Sequence, residues 1–219
     1  MSETINRVLV ACGLIFVALV AAWLEHNGIF HAVYWLGLIV GVAMICEFLS
    51  CLWRAPRDVM FNIKNLTLFI GFLALLVADF ISLMTVGRRP MIILMTLVIV
   101  AAADIGAWLF GRIIGGDKLW ERVSEHKTWA GQIMGVACGT LAAIAYGHLF
   151  LNSFAPQLVW IGISISLLSQ YGDLTASFVK RKMGIKDFSK VLGNHGGIID
   201  RFDGWIYVLP VLFYVLMQA

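Results

Sequence analysis

A succession of long apolar runs is the feature that most constrains this chain. A helix needs about 20 mainly apolar residues to cross the hydrocarbon core of a bilayer. Seven stretches approach or reach that length, and the first is too long for a typical signal peptide, which favours a retained helix. The pattern predicts an all-α, polytopic integral membrane protein with about seven transmembrane helices. They lie at about 8–24, 32–52, 65–86, 91–110, 130–151, 157–178 and 205–218.

The composition supports the membrane class. Hydrophobic residues make up 61% of the 219 residues and charged residues only 13%, whereas soluble domains carry about 25% charged residues. No long charged tail or low-complexity tract is present, which argues against a nucleic-acid partner. The four cysteines form no CxxC pair and lie in or beside apolar runs, so we interpret them as small buried hydrophobes.

Only two connections between the predicted helices exceed a short turn, at about 111–129 and 179–204. No internal repeat or soluble domain is apparent. We therefore predict one integral membrane domain over 1–219, with N-terminal helices in 1–103 and both polar loops in 104–219.

The basic residues are distributed asymmetrically about the predicted membrane. Of the 16 Lys and Arg residues, all but Arg88 and Arg89 fall on one side. Because cytoplasmic loops carry the excess of basic residues, we predict that the N-terminus and both long loops are cytoplasmic and that the C-terminus lies outside.

Four carboxylates interrupt the apolar runs, at Glu47, Asp79, Asp104 and Asp173. Charged groups inside a span are costly and commonly functional. For Asp79 a plain helix contact is an equal alternative, and Glu47 lies near a cytoplasmic helix end where its carboxylate could extend to the interface.

Asp104 opens a patterned helix face. Asp104, Trp108 and Arg112 are spaced by four and would align. Gly106 and Gly111 would let a neighbouring backbone come close. A structural pairing of Asp104 with Arg112 is an alternative to a functional role.

Asp173 heads a second patterned face. Asp173, Ser177 and Arg181 are spaced by four, and Lys180 lies beside them. A carboxylate suits a hard cation such as Mg²⁺, whereas Lys and Arg suit phosphate. Anchoring by cytoplasmic basic residues would explain the cations but not Asp173.

The polar loop after this helix adds charges between glycines. Its glycines would let the backbone approach a ligand closely, and His195 is a candidate base, phosphate donor or loop strut. Asp203 is a candidate helix cap as well as a ligand. The whole pattern predicts a site for a metal-bound polyphosphate at the cytoplasmic membrane face. The residues are Lys186, Asp187, His195, Gly196, Gly197, Asp200, Arg201 and Asp203, with Ser124, Lys127 and Thr128 of the earlier loop as further phosphate contacts.

The spacing S-x-x-K-R, four residues, K-D, then H-G-G-x-x-D-R-x-D between Ser177 and Asp203 resembles the signature of the phosphatidate cytidylyltransferases, also called CDP-diacylglycerol synthases. Weaker similarities occur in "QYGDLTAS", "DIGAWLFGRIIG" and "SEHKTWAG". In the last of these, Glu125, His126 and Ala130 replace the family's usual Pro, Lys and Glu, and Gly193-Asn194 replaces a frequent Pro-Gly before the histidine.

The resemblance implies a reaction of CTP with phosphatidate that gives CDP-diacylglycerol and pyrophosphate, dependent on Mg²⁺ and in the bacterial inner membrane. It implies that Asp173, Asp200 and Asp203 hold the metal. A second cation, monovalent or divalent, and a homodimer are left open. Catalytic roles are expected for Asp173, Lys180, Arg181, Lys186, His195, Asp200 and Arg201, and substrate or cofactor binding for Asp104, Ser124, Lys127, Thr128, Ser177, Gly196 and Gly197.

Two other classes of function share part of this pattern. A related CTP-using membrane enzyme, such as a polyprenol or phytol kinase or a synthase for another phospholipid backbone, would share much of this chemistry. A transporter or membrane scaffold would also fit the apolar helices and intramembrane carboxylates. The gathering of charges at one cytoplasmic face disfavours the transporter.

Overall fold

The computed structural model describes residues 20, 24, 32–60, 62–86, 89–150, 156–193 and 196–218. The predicted span at 8–24 and the candidate His195 therefore lie outside the described residues. Eight helices are found in the described ranges, together with a 3₁₀ turn at Asp203–Trp205 and two strands. The helices are α1 Ala32–Arg54, α2 Arg57–Met60, α3 Ile63–Val86, α4 Pro90–Ile114, α5 Trp129–Phe150, α6 Gln157–Lys182, α7 Ile199–Phe202 and α8 Val208–Gln218.

Four of these helices, α1, α3, α4 and α5, are long and apolar enough to cross a membrane. Many of their large apolar side chains, such as Ile39, Trp53 and Ile113, are exposed. A soluble protein would bury such surface, whereas lipid accommodates it. The membrane class is thereby supported, and four of the predicted spans coincide with helices that are long and apolar enough to cross a bilayer.

The remaining predicted spans differ from these four. Helix α6 has 26 residues, but its serines, Gln170 and Asp173 make it more polar. Helix α8 has only 11 residues and begins at Val208. At 1.5 Å per residue it is about 16 Å long, roughly half of a bilayer's hydrocarbon core. The count of seven spans therefore stays a prediction.

The loop predicted at 111–129 contains a small two-stranded sheet that the all-α prediction did not include. Helix α4 continues to Ile114 and ends before Gly115 and Gly116, which both have positive φ. Strands β1 (Lys118–Trp120) and β2 (Ser124–Thr128) then pair antiparallel, with Trp120 opposite Ser124. The periodicity search for apolar spans missed them because strands of three and five residues carry too short a pattern.

The chain divides into two compact units. The first comprises the described residues within Met1–Met91, Lys182–Phe202 and Leu209–Ala219, and the second comprises Ile92–Arg181 and Asp203–Val208.

Helices α1 and α3 form the core of the first unit. A side chain at Gly41 would collide with Phe80, so the glycine permits a close approach of the two helices. Further along the pair, the rings of Phe48 and Phe72 lie 5.0 Å apart, and Phe72 stacks on Phe188 at 5.8 Å. This aromatic cluster fixes the start of the polar loop against α1 and α3.

Helices α4, α5 and α6 form the core of the second unit through glycine contacts. Gly106 of α4 faces the Cys138 side chain of α5, and Gly111 faces Gly131. Gly139 of α5 in turn lies against Ser166 of α6. The prediction that Gly106 and Gly111 admit a neighbouring backbone is confirmed.

Candidate active site

One face of α6 carries the charged residues that the sequence aligned. The Ser177 hydroxyl donates to Asp173 Oδ1 at 3.4 Å, as expected for residues one turn apart. Arg181 Nε donates to the Val123 carbonyl at 3.3 Å, which ties the hairpin to the end of the helix. Lys180 is almost fully buried, with 9% of its surface exposed. The predicted alignment of a carboxylate, a hydroxyl and a guanidinium is confirmed.

The β1–β2 hairpin brings a further cation to Asp173. Lys127 Nζ of β2 lies 2.5 Å from Asp173 Oδ2. The Trp120 ring of β1 stacks on Phe178 of α6 at 5.6 Å between centroids, which secures the hairpin on this helix. Lys127 therefore forms an ion pair with Asp173. Its predicted contact with phosphate stays a prediction.

Asp203 lies close to the same charges. Gly172 of α6 permits the approach, since a side chain there would collide with the Asp203 carbonyl oxygen. Burial raises the pKa of Asp203 well above its usual range, and the negative charge of Asp173 raises it further. Lys180 and Lys127 oppose this rise, and Asp104 adds to it. Asp104, Asp173 and Asp203 thus form a charged cluster with two lysines.

The mutual repulsion of Asp173 and Asp203 is what a bound cation would relieve. Mg²⁺ is commonly held by one or two protein carboxylates plus substrate phosphates and water. Within the described ranges, no group of three or more His, Cys, Asp or Glu side chains is arranged to hold a metal. Asp173 and Asp203 are carboxylates, which are the ligand type that Mg²⁺ takes.

Several neighbouring candidates have structural contacts. Thr128 Oγ1 accepts a hydrogen bond from the Gly131 N–H at 3.1 Å and so caps α5. The Arg112 guanidinium lies 6.0 Å from the Trp108 ring centroid, which confirms the predicted helix face. Although both residues are described, no ion pair joins Arg112 to Asp104, which is exposed. Phosphate binding by Ser124 and Thr128 stays a prediction.

We call the residues between Ser177 and Asp203 that match the signature the family-like pattern. Its described residues from Lys186 to Arg201 lie in the first unit. Asp200 Oδ2 accepts hydrogen bonds from the Phe188 N–H at 2.9 Å and the Gly197 N–H at 2.8 Å. Gly196 has a φ of +79°, and a side chain there would meet Asp200 Oδ2. Asp200 thereby holds the loop against the start of α7. The sequence predicted a metal ligand at this position and did not predict these hydrogen bonds.

Glu47 holds the same loop from α1. Its carboxylate accepts hydrogen bonds from the Ile198 N–H at 3.1 Å, the Ile199 N–H at 2.7 Å and the Ser189 hydroxyl. Only 7% of Glu47 is exposed. Of the two alternatives for Glu47, extension to the interface is therefore excluded, because the loop supplies its hydrogen-bond partners inside the protein.

A cavity of about 530 Å³ opens beside this loop at the end of α1. Cys51, Met183 and Phe188 contribute apolar surface. The cations and carboxylate on its wall are Arg54, Lys186, Asp187 and Lys190. Three cations against one carboxylate suit an anionic group. The sequence did not predict Arg54 as a residue of the site. Its position at the basic end of an apolar run was the one sequence feature that could have indicated it.

The predicted residues thus fall into two sets. The second unit holds Asp104, Ser124, Lys127, Thr128, Asp173, Ser177, Lys180, Arg181 and Asp203, and the first unit holds Lys186, Gly196, Gly197, Asp200 and Arg201. The sequence did not predict that Glu47 and Ser189 are hydrogen-bond partners of each other. It also did not foresee that the buried Asp79 Oδ1, Ser166 Oγ, Ser169 Oγ and Gln170 Oε1 lack hydrogen-bond partners in the described part of the chain.

Comparison with known proteins agrees with these features. The model of the Cytidylyltransferase family matches residues 3–219. A phosphatidate cytidylyltransferase of Staphylococcus aureus strain COL is 42% identical over 128 residues, which is 58% of this chain and 49% of the relative. Its namesake from Staphylococcus haemolyticus is 40% identical over 129 residues, with the same coverage of 58% and 49%.

The chain spans about half the length of the curated relatives it matches. The family model, in contrast, matches nearly all of this chain, including both charged sets of residues. This chain belongs to the Cytidylyltransferase family.

Proposed function

We propose that this protein transfers a cytidylyl group from CTP to phosphatidate, giving CDP-diacylglycerol and pyrophosphate for phospholipid synthesis. The observation that carries the proposal is the face of α6, where Asp173 lies one turn before Ser177, which with Lys180 and Arg181 begins the family-like pattern. The apolar helices would present a lipid substrate, and the relatives are named for this reaction.

In the proposed reaction a phosphate oxygen of phosphatidate attacks the α-phosphorus of CTP. The new P–O bond forms as the bond to the β-phosphate breaks, and pyrophosphate leaves with the electron pair. The lipid phosphate needs no dedicated base, since phosphomonoesters are largely doubly ionised near neutral pH. Lys127, Lys180 and Arg181 would neutralise the phosphates, because preorganised positive charge stabilises the developing negative charge.

The metal requirement is also part of the proposal. When bound, Mg²⁺ would neutralise phosphate oxygens and help to orient the reacting groups. Asp173 and Asp203 would hold it, as their mutual repulsion suggests. Asp200 as a ligand, Lys186 and Arg201 as phosphate contacts and a role for His195 are supported by the charge pattern of the sequence and by the resemblance. A second cation and a homodimer are left open.

We further propose seven spans, with the two polar loops facing the cytoplasm of a bacterium. Helix α6 supports this count because its polar residues Ser166, Ser169 and Gln170 are buried. The helix therefore keeps these groups away from lipid. Reactive groups at the cytoplasmic face would meet CTP from water and phosphatidate from the bilayer.

The direct test is product identification. Purified protein is given labelled CTP, Mg²⁺ and either phosphatidate, phytol or a polyprenol. We expect pyrophosphate and CDP-diacylglycerol with phosphatidate only. Formation of CDP and a lipid phosphate from an alcohol would identify a kinase instead. Absence of any lipid-dependent product beside a working control enzyme would overturn the proposal.

Replacement of Asp173 tests the role of the charged cluster. We expect Asp173→Asn to lower the rate at least about 10²-fold, because metal and phosphate positioning supplies several kcal/mol. Glu121→Gln is the matched control, since Glu121 is an exposed carboxylate of the hairpin that contacts α6. Steady-state rates are compared at equal amounts of folded protein. Near-normal activity of Asp173→Asn would remove its assigned role.

A further inference from the structure

Glu47 is a buried carboxylate that lies outside the family-like pattern. It lies in α1, and its three hydrogen-bond donors lie in the segment 189–199, up to 152 residues away along the chain. An ionised carboxylate accepts hydrogen bonds and donates none. The three donors therefore match its chemistry, and their burial makes the match energetically important.

Two of the three donors lie at the start of α7, the helix that carries Asp200 and Arg201. Ile198 and Ile199 stand at the start of α7, where backbone N–H groups have no partner within the helix. Helix α7 has four residues, and two of them are Asp200 and Arg201. So short a helix has little stability of its own. Its direction therefore depends on what holds its first turn, and Glu47 does so.

The loop is held between two carboxylates. Glu47 binds Ser189, Ile198 and Ile199, whereas Asp200 binds the N–H groups of Phe188 and Gly197. Within the loop, the Leu192 N–H donates to the Gly196 carbonyl at 3.1 Å.

Gly197 also lies against the Glu47 carboxylate. A side chain at Gly197 would occupy the position of the Glu47 carboxylate group. The second glycine of the family-like pattern is thus required by contact with Glu47, a residue outside that pattern.

We propose that Glu47 is a positioning residue for the cytidylyl transfer, because its hydrogen bonds fix Ser189 and the start of α7 and thereby the direction of Asp200 and Arg201. This inference rests on the proposed function. It assigns no contact between Glu47 and a substrate. Its effect on the reaction passes through the hydrogen bonds to Ser189, Ile198 and Ile199.

The test replaces Glu47 with an isosteric amide. Glu47→Gln keeps the volume but presents an NH₂ group to donors that need an acceptor. Asp58→Asn is the matched control, since Asp58 is an exposed carboxylate in the neighbouring α2. Ser189→Ala removes one of the three donors and serves as a milder second variant. Backbone hydrogen exchange of peptides covering 188–202 is measured alongside steady-state kinetics on CTP and phosphatidate.

For Glu47→Gln we expect exchange in 188–202 to accelerate about tenfold or more, while peptides of the β1–β2 hairpin stay unchanged. We expect kcat per folded molecule to fall about 10²-fold, with the KM for CTP changed less than about threefold. Misplaced groups weaken stabilisation of the transition state more than they weaken binding of the substrate. Ser189→Ala should shift both readouts in the same direction by less than about tenfold.

A purely structural role would lower the thermal midpoint and the yield but leave kcat per folded molecule intact, and that result would overturn the proposal. Unchanged exchange in both variants would overturn it as well. If Glu47→Gln does not fold, Ser189→Ala decides by the same criteria. If the unaltered protein forms no CDP-diacylglycerol, the proposed function fails, whereas the exchange data still decide whether Glu47 holds the loop.

Discussion

At the scale of single residues, Gly196 and Gly197 have contacts that differ from those predicted from the sequence. Gly196 and Gly197 were predicted to let the backbone approach a ligand. In the structure they let it approach the protein's own carboxylates, Asp200 and Glu47 respectively. Substrate binding by these glycines stays a prediction, but the close protein contacts already require both positions to lack a side chain.

A methyl group at Gly197 tests this explanation. We expect Gly197→Ala to displace the Glu47 carboxylate and to lower both the thermal midpoint and kcat, because buried hydrogen bonds are lost. Gly71→Ala is the control, since a side chain at Gly71 would meet nothing within 4 Å. It should be neutral or slightly stabilising in a helix. Equal behaviour of the two variants in thermal unfolding and kinetics would contradict the contact.

At the scale of elements, helix packing in the second unit depends on small residues of α5. Gly131, Gly135 and Gly139 recur every fourth position and face α4 or α6. Small residues at such intervals let membrane helices pack closely. The contacts place Asp173 on α6, and the hairpin then adds Lys127 to it.

Widening this contact should destabilise the helix packing. Gly139→Val would put side-chain atoms against Ser166 and Ala103. We expect a loss of about 1–3 kcal/mol, typical of overpacking, seen as a lower thermal midpoint in detergent. Gly71→Val carries the same change in helix propensity but faces open space. A midpoint for Gly139→Val as high as that of Gly71→Val would show that the contact tolerates bulk.

At the scale of the whole molecule, the chain is a membrane protein whose family-like pattern runs through both units. Residues 177–181 belong to the second unit, 182–202 to the first, and Asp203 to the second again. Four helices are apolar and long enough to cross a membrane. The predicted orientation follows from the distribution of the basic residues.

Reporter fusions test the orientation. A reporter enzyme that is active only outside the cytoplasm is fused after Gln218, and in a second fusion it is inserted between Gly115 and Gly116. We expect activity in the first fusion and none in the second, because an odd number of spans places the C-terminus opposite the basic loops. A cytoplasmic C-terminus would remove the seven-span model.

The membrane class and the charged face of α6 could be predicted because both depend on local periodicity. Apolar runs report on burial in lipid, and a spacing of four puts Asp173 and Ser177 on one helix face. The short strands and the polarity of α6 were harder, since neither produces a long repeated pattern. The length of α8 depended on a helix boundary, which sequence patterns define poorly.

The sequence by itself determined that this chain enters a membrane, that charged groups interrupt its apolar helices, and that Ser177–Asp203 resembles a known signature. These follow from composition, periodicity and spacing, which are local properties. Only the tertiary structure decided that Lys127 meets Asp173 and that Glu47 holds the loop at Ile198 and Ile199. Such contacts join residues far apart in the chain, so they depend on how the helices pack and leave no local pattern.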